Sequence, residues 1–341
     1  FKDDSCSANH IAKLTETPTI LVANIKGKSL SLVAEIKGYL DFMENRIAGV
    51  ILNNCSEGMY AIYKNLLEEN GIKAYGYLPK VPETSIGSRH LGLVTAEEIS
   101  DIKKKMDLLG KAAEKSLDLD GIMKLGEGAE TLEHEDLTIL RGRDESSVKI
   151  GIARDKAFCF YYEDVLEMLE DLGARLIPFS PVEDEHLPCG INGLILGGGY
   201  PELHIEKISQ NKSMLNEIKK ASEDEMPIYA ECGGFMYLGE SIEISGKKYK
   251  TVGAIKGNSR VTKSLVRFGY KDLEANVDNV LCRKGESIQC HEFHYSDTDS
   301  YGTGFTASNG RGRKWLTCKA TKSMYAGYPH LHLWGNPGFA K

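Results

Sequence analysis

Apolar residues occur in this chain as short continuous runs, and stretches with helical periodicity separate them. Runs of this kind are typical of buried parallel strands whose sheet is covered by helices on both faces. The first part of the chain therefore predicts a three-layer α/β domain. Its predicted strands are residues 19–23, 47–53 and 73–78, and its predicted helices are residues 29–40, 60–70 and 96–117.

The alternating pattern fades after residue 118 and returns at residue 148. The intervening stretch is acidic and carries scattered glycines, which is typical of a linker or surface connection. We therefore predict a first domain at 1–118, a linker at 119–147 and a second α/β domain at 148–341. In the second domain we predict strands at 148–153, 175–179, 193–196 and 227–230, helices at 163–172 and 211–223, and short β-like segments after 251.

Composition narrows the classes of protein that fit. The chain has 341 residues, 41% hydrophobic residues and a net charge of −7, which suits two or three soluble domains. No apolar run approaches the roughly 20 residues of a membrane helix, and no secretory segment opens the chain. Eight scattered cysteines without a C-x-x-C pair indicate reduced thiols. We expect a cytoplasmic protein with no metal site and no nucleic-acid or membrane partner.

The strongest local signal is a cysteine at the end of a predicted strand. Cys232 follows the strand at 227–230 and precedes Gly233 and Gly234 and a helix-compatible run. This order is typical of a nucleophile elbow, in which a tight turn holds the reactive side chain above the sheet. A helix that begins behind the cysteine favours the reactive thiolate. The alternative is a buried structural cysteine.

Two further segments supply what a nucleophilic cysteine needs. The triple glycine at 197–199 follows a strand, so its backbone N–H groups could form an oxyanion hole. A flexible turn or a weak phosphate loop is the alternative. His330, late in the same domain, is a candidate general base that takes the thiol proton and returns it to the leaving group. On its own, such a histidine is more often structural.

These three elements resemble class I glutamine amidotransferase domains, in which a Cys-His pair hydrolyses glutamine through a thioester. Five motifs in order resemble the cobyrinate a,c-diamide synthase family, which includes the hydrogenobyrinate and nickel-sirohydrochlorin a,c-diamide synthases. Residues 49–53 and 89–94 resemble its synthetase domain, a parallel-sheet fold of the phosphate-loop, dethiobiotin-synthetase-like kind. The five motifs are Ala153-Arg-Asp-Lys-Ala-Phe-Cys-Phe-Tyr-Tyr162, Phe179-Ser-Pro181, Leu196-Gly-Gly-Gly-Tyr-Pro-Glu202, Ala230-Glu-Cys-Gly-Gly-Phe-Met-Tyr-Leu238 and His291-Glu-Phe-His-Tyr-Ser296.

The resemblance implies amidation of two side-chain carboxylates of a corrinoid or related tetrapyrrole, with ATP, Mg²⁺ and glutamine. It makes Cys232 the nucleophile, His330 the base, and the N–H groups of Gly199 and Gly233 the oxyanion donors. His332 stands where related domains have the glutamate of His-x-Glu, so it is our candidate for a third triad position. The departure from glutamate leaves the orientation of His330 to another group. The motifs do not choose among the tetrapyrroles, so we expect cobyrinate, the commonest substrate of the family, to be amidated at its a and c side chains in cobalamin biosynthesis. A homodimer stays open.

The resemblance also gives expectations for nucleotide binding. Asn53 resembles an adenine-reading residue, although a strand-capping asparagine is an equal alternative. The family's phosphate loop is not found: Gly27-Lys28-Ser29 would need a glycine where Val22 stands, and Ser29 fits a helix N-cap instead. We therefore expect that the first part of the synthetase domain lies outside this chain and that the chain binds ATP poorly.

Two other functions fit parts of the pattern. A stand-alone cysteine hydrolase of the related fold would use the same elbow on peptides or thioesters, but it has no need of the α/β region at 49–79. A non-catalytic tetrapyrrole-binding module would fit a chain whose ATP site is incomplete. Glutamine hydrolysis that depends on the thiol separates both from the amidotransferase.

Overall fold

The computed structural model describes residues 4–87, 94–133 and 148–341. The chain divides into two compact units, Phe1–Asp136 and Leu137–Lys341. The motif at 89–94 lies almost wholly outside the described residues. Among those described, no helix is both long and apolar enough to cross a membrane.

The first unit contains a parallel sheet in the order β1-β2-β3. The prediction of a parallel α/β sheet is confirmed here, and Leu32, Val50, Leu52 and Leu67 form part of its core. The strands are β1 Thr19–Asn24, β2 Ile47–Asn53 and β3 Ala74–Leu78. The helices are α1 Ala8–Leu14, α2 Leu30–Phe42, α3 Glu57–Glu69, α4 Ile102–Ser116 and α5 Leu119–Glu127.

Helix α5 occupies the first nine residues of the predicted linker. The Asp118 side chain accepts a hydrogen bond from the Gly121 N–H at 2.9 Å and so caps the new helix. In the sequence, the surrounding acidic residues and glycines obscured Asp118 as the N-cap of this helix. The rest of the predicted linker lies mostly outside the described residues.

Over residues 148–341 the second unit is built on three sheets. Its strands are β4 Val148–Ala153, β5 Ala174–Phe179, β6 Gly193–Leu196, β7 Ile228–Glu231, β8 Ser241–Ile244, β9 Lys247–Lys250, β10 Asn258–Val261, β11 Arg267–Ala275, β12 Ser287–His294, β13 Ser296–Thr298, β14 Phe305–Ser308, β15 Lys314–Thr317, β16 Lys319–Thr321, β17 Met324–Gly327 and β18 His330–Leu331. Its helices are α6 Glu163–Asp171, α7 Ile205–Gln210, α8 Lys212–Glu223 and α9 Gly233–Leu238.

The main sheet has the order β16-β17-β7-β6-β4-β5, and all its pairs are parallel except β16 with β17. A five-stranded antiparallel sheet, β15-β14-β11-β12-β18, and a four-stranded sheet, β13-β10-β8-β9, complete the unit. Because β6, β7 and β17 are parallel neighbours, their carboxyl ends meet at one edge. That edge brings together Gly197, Cys232 and Tyr328, which follow the three strands.

Candidate active site

Cys232 lies on a strained turn between β7 and α9. Its backbone has φ +44° and ψ −98°, a region that side chains with a Cβ rarely adopt and that costs about 1–3 kcal/mol. The turn is held because the Cys232 N–H donates to the carbonyl oxygen of Gly327 at 2.7 Å. The residue is 9% exposed. The predicted elbow is therefore present, with the cysteine on its strained position.

The two glycines after the cysteine allow the elbow to approach the neighbouring strand end. A Cβ on Gly234 would stand 2.0 Å from the carbonyl oxygen of Leu196, and a Cβ on Gly233 would stand 3.1 Å from the backbone nitrogen of Gly199. The Gly234 N–H donates to the Gly197 carbonyl at 3.0 Å. Any side chain at Gly234 would push the elbow away from the triple-glycine turn.

The triple-glycine turn is itself fixed by the segment after β4. The Gly197 N–H donates to the Tyr161 hydroxyl at 3.0 Å, and the Gly198 carbonyl accepts from the Phe160 N–H at 3.1 Å. Gly199 has φ +153°, and a Cβ there would stand 2.1 Å from the Ala157 carbonyl oxygen. Gly199 and Gly233 are thus close together beside Cys232, as an oxyanion site built from these two residues requires.

His330 reaches the same place from the end of β17. Its ring packs on the glycine turn, since a Cβ on Gly198 would stand 2.6 Å from His330 Cε1. Nδ1 lies 3.2 Å from Glu231 Oε2, and the imidazole also hydrogen-bonds the Cys232 thiol. With Nδ1 facing the carboxylate, Nε2 is left for the sulfur. The structure therefore joins Cys232, His330 and Glu231 in one array.

Glu231 is the orienting group that sequence analysis did not identify. Its carboxylate also accepts from the Leu331 N–H at 2.7 Å and from the Tyr229 hydroxyl, so its position is fixed on several sides. The available signal was a carboxylate beside the proposed nucleophile in an otherwise apolar strand. A charged residue is rarely buried unless it is paired.

The charge on His330 follows from two opposing effects. Burial disfavours the imidazolium, but the hydrogen bonds to Cys232 and Glu231 and the negative charge of both groups outweigh burial and raise the pKa of His330 to about 10. At neutral pH the ring is therefore protonated. A cationic ring beside the sulfur stabilises negative charge there, which is the form that attacks a carbonyl carbon.

Comparison with known proteins shows which domain family the second unit matches and which protein family the whole chain matches. Residues 149–338 match the CobB/CobQ-like glutamine amidotransferase domain. The cobyrinate a,c-diamide synthase of Clostridium tetani is 41% identical over 99% of this chain and 77% of its own length. The same enzyme of Caldanaerobacter subterraneus is 41% identical over 96% of this chain and 74% of its own, and that of Listeria innocua is 37% identical over 98% and 75%. The chain belongs to the cobyrinate a,c-diamide synthase family.

Members of this family are glutamine-dependent amidating ligases, and the chain is an enzyme of that kind. Cys232, Gly199, Gly233 and His330 all fall within the matched amidotransferase domain. Asn53 lies in the other unit, where it ends β2 and its Oδ1 accepts from the Asn54 N–H at 3.0 Å. That contact is the local cap expected at a strand end. An adenine contact at Asn53 stays a prediction.

The structure places His332, the candidate for a third triad position, beside Asp164. Its Nε2 lies 3.0 Å from Asp164 Oδ2, its ring meets Tyr162 edge-on at 4.9 Å, and its side chain is 44% exposed. The carboxylate on His330 comes instead from Glu231, 99 residues earlier in the chain. His332 was a candidate because of its spacing from His330, and the expectation that another group orients His330 points to Glu231.

We predict that Glu231→Gln destabilises the second unit in a pH-dependent way. Because the pKa of His330 is raised in the folded protein, its pairing with Glu231 stabilises the fold fully below the unfolded histidine pKa, about 6.5. This contribution is lost as pH rises through about 10. Breaking a buried pair costs about 3–5 kcal/mol, so the loss relative to wild type should be largest near pH 6 and smallest near pH 10.

Both tryptophans, Trp315 and Trp334, lie in the second unit, so their fluorescence during urea unfolding reports that unit alone. The control is Asp164→Asn, which removes the exposed His332 contact and should cost little at either pH. A Glu231→Gln deficit that is equal at pH 6 and pH 10 would contradict the assigned charge of His330.

Proposed function

We propose that this protein amidates the a and c side-chain carboxylates of cobyrinate in cobalamin biosynthesis, with ammonia that the Cys232 site releases from glutamine. The observation that carries the proposal is the array of Cys232, His330 and Glu231 at the strained elbow, next to Gly199. Several relatives that match nearly the whole chain are named cobyrinate a,c-diamide synthase. We also infer a cytoplasmic location, since all eight cysteines are free thiols.

In the first half of the reaction, Cys232 Sγ attacks the side-chain amide carbon of glutamine and a carbon–sulfur bond forms. The negative charge that develops on the amide oxygen is stabilised by the N–H groups of Gly199 and Gly233. His330 gives its proton to the amide nitrogen, the carbon–nitrogen bond breaks, and ammonia leaves. A γ-glutamyl thioester remains on Cys232.

In the second half, water hydrolyses the thioester. Neutral His330 accepts a proton from the attacking water, the carbon–sulfur bond breaks, and glutamate leaves. The sulfur recovers its negative charge beside the imidazolium. Glu231 holds the ring in one orientation through both halves, so that the same nitrogen serves as acid and as base.

Amide formation needs a carboxylate activated by ATP with Mg²⁺, and the residues around Gly27 do not fit a phosphate cradle. Val22, where the phosphate loop requires glycine, lies inside β1. Ser29 is the N-cap residue of α2, although its side chain makes no capping hydrogen bond. The described part of the first unit therefore supports no step through ATP, and the mechanism above is that of the glutamine-hydrolysing half.

The nucleophile is tested by Cys232→Ser. We expect release of glutamate from glutamine to fall by about 1000-fold or more, because the hydroxyl is a much poorer nucleophile beside the same imidazolium. Glutamate is measured enzymatically under saturating glutamine. The exposed Cys189→Ser is the matched control and should keep wild-type turnover. Unchanged turnover in Cys232→Ser removes the proposal.

The oxyanion site is tested by Gly199→Ala. The added Cβ would stand 2.1 Å from the Ala157 carbonyl, so the turn must move and carry the N–H of residue 199 out of place. We expect kcat for glutamine hydrolysis to fall about 100 to 1000-fold with a smaller change in KM. Gly310→Ala, where an added Cβ meets nothing within 4 Å, is the control. A Gly199→Ala enzyme with normal kcat would remove these backbone groups from the mechanism.

The substrate is tested by mass spectrometry of the products. The full-length protein is incubated with glutamine, ATP and Mg²⁺ and with cobyrinate, hydrogenobyrinate or nickel-sirohydrochlorin in separate reactions. With cobyrinate we expect two successive mass decreases, each equal to the exchange of a hydroxyl for an amino group. Amidation of another macrocycle in preference to cobyrinate would reassign the substrate within the family.

A further inference from the structure

Two neighbouring motifs of the second unit, residues 153–162 and 179–181, supply no group to the steps of glutamine hydrolysis. A carboxylate joins them. Asp155 accepts hydrogen bonds from the Ser180 hydroxyl at 2.7 Å and from the Ala157 N–H at 2.8 Å. The segment that follows β4 is therefore fixed to the end of β5 before it reaches the triple-glycine turn.

The same segment then contacts the glycine turn from one side. The N–H groups of Cys159 and Phe160 both donate to the Gly198 carbonyl oxygen, each at 3.1 Å. These bonds use backbone atoms, so they do not depend on the identity of the side chains. The contact between Tyr161 and Gly197 is different, because a side-chain hydroxyl makes it.

The Tyr161 hydroxyl bridges two neighbouring strand ends. It accepts from the Gly197 N–H at 3.0 Å and donates to the Ala153 carbonyl oxygen. Ala153 is the last residue of β4, Gly197 follows the last residue of β6, and the parallel pairing of these strands ends at Ile152 and Ile195. The hydroxyl thus continues the connection between β4 and β6 just beyond the point where direct backbone pairing stops.

The bridge has a fixed direction. The Gly197 N–H can only donate and the Ala153 carbonyl can only accept, so the hydroxyl between them must do both. The Tyr161 ring also lies against the glycine, since a Cβ on Gly197 would stand 2.5 Å from Tyr161 Cζ. Burial is the main cause that raises the pKa of the Tyr161 phenol, so the hydroxyl keeps its proton at neutral pH.

Gly197 connects the two oxyanion donors of the proposed mechanism. Its carbonyl oxygen accepts from the Gly234 N–H at 3.0 Å, and Gly234 directly follows the donor Gly233. The other donor, Gly199, lies two residues after Gly197 in the same turn. Because an oxyanion donor must lie about 2.7–3.1 Å from the charged oxygen, a small rotation at Gly197 weakens both donors.

We propose that Tyr161 is a positioning residue for glutamine hydrolysis. Its hydroxyl orients the turn at 197–199 so that the N–H groups of Gly199 and Gly233 converge on one oxygen atom. In this role Tyr161 acts through the turn and not on the reacting atoms. The inference rests on the proposed function, since the oxyanion is that of the glutamine side-chain amide.

The role is tested by Tyr161→Phe, which keeps the ring against Gly197 and removes only the hydroxyl. Steady-state kinetics with glutamine give kcat and KM. We expect kcat to fall about 10 to 100-fold, less than after direct loss of a donor, while KM stays within about threefold of wild type. The matched control is Tyr249→Phe, which removes a solvent-exposed hydrogen bond to Glu206 and should keep the wild-type kcat.

Alkylation of Cys232 by iodoacetamide separates positioning of the turn from general support of the elbow. This reaction forms a carbon–sulfur bond with loss of iodide and passes through no oxyanion. Its rate at Cys232 is followed by mass spectrometry of the peptide. We expect the rate in Tyr161→Phe to stay within about twofold of wild type, because the elbow and its thiolate are intact. A rate that falls in parallel with kcat would overturn the proposal.

A double-mutant cycle with Gly199→Ala shows whether Tyr161 acts through the turn. Once Gly199 is displaced, the hydroxyl has little left to position, so Tyr161→Phe should lower kcat by less than about threefold in that background. The same large loss in both backgrounds would overturn the proposal, as would a Tyr161→Phe enzyme with wild-type kcat. A wild type without Cys232-dependent glutamine hydrolysis would instead refute the proposed function, and the role of Tyr161 with it.

Discussion

The left-handed backbone of Cys232 is the constraint on which the rest of the site depends. A cysteine adopts this conformation at a cost, and it keeps it because the Cys232 N–H bonds to Gly327 and the Gly234 N–H bonds to Gly197. These two bonds connect the end of β7 to the ends of β17 and β6. The parallel order of the three strands is therefore what allows one strained residue to meet the oxyanion turn and the histidine together.

Glu231 makes the active-site histidine part of the fold. The carboxylate is almost fully buried, and it is satisfied by His330, the Leu331 N–H and the Tyr229 hydroxyl. Burial alone would make His330 neutral. The hydrogen bonds to Cys232 and Glu231, and the negative charge of both groups, outweigh burial and keep the ring as an imidazolium. The same interaction thus orients the catalytic ring, sets its charge and anchors the start of β18 to the main sheet.

The parts of the fold that could be predicted are those with a local signal. Continuous apolar runs located the parallel strands, and the strand–Cys–Gly–Gly order located the elbow, because both patterns reflect constraints within a few residues. Glu231 was missed because its partner His330 is 99 residues away, and no local pattern links them. His332 became a candidate because of its spacing from His330, whereas the tertiary structure places it beside Asp164. The five-stranded sheet was seen only as short β-like segments, since β11 pairs with β14 and β12 pairs with β18 across long connections.

The stability of the fold alone does not explain why Arg267 and Glu292 lie in the interior near the active site. An aliphatic pair in place of Arg267 and Glu292 would fill the same volume between β11 and β12 without desolvating two charges. The neighbouring inner positions, such as Leu273 and Ile288, are apolar and fully or almost fully buried. The inner face of this sheet therefore changes from apolar to polar along its length. The change occurs where His294 of β12 stacks on Tyr328, which follows β17.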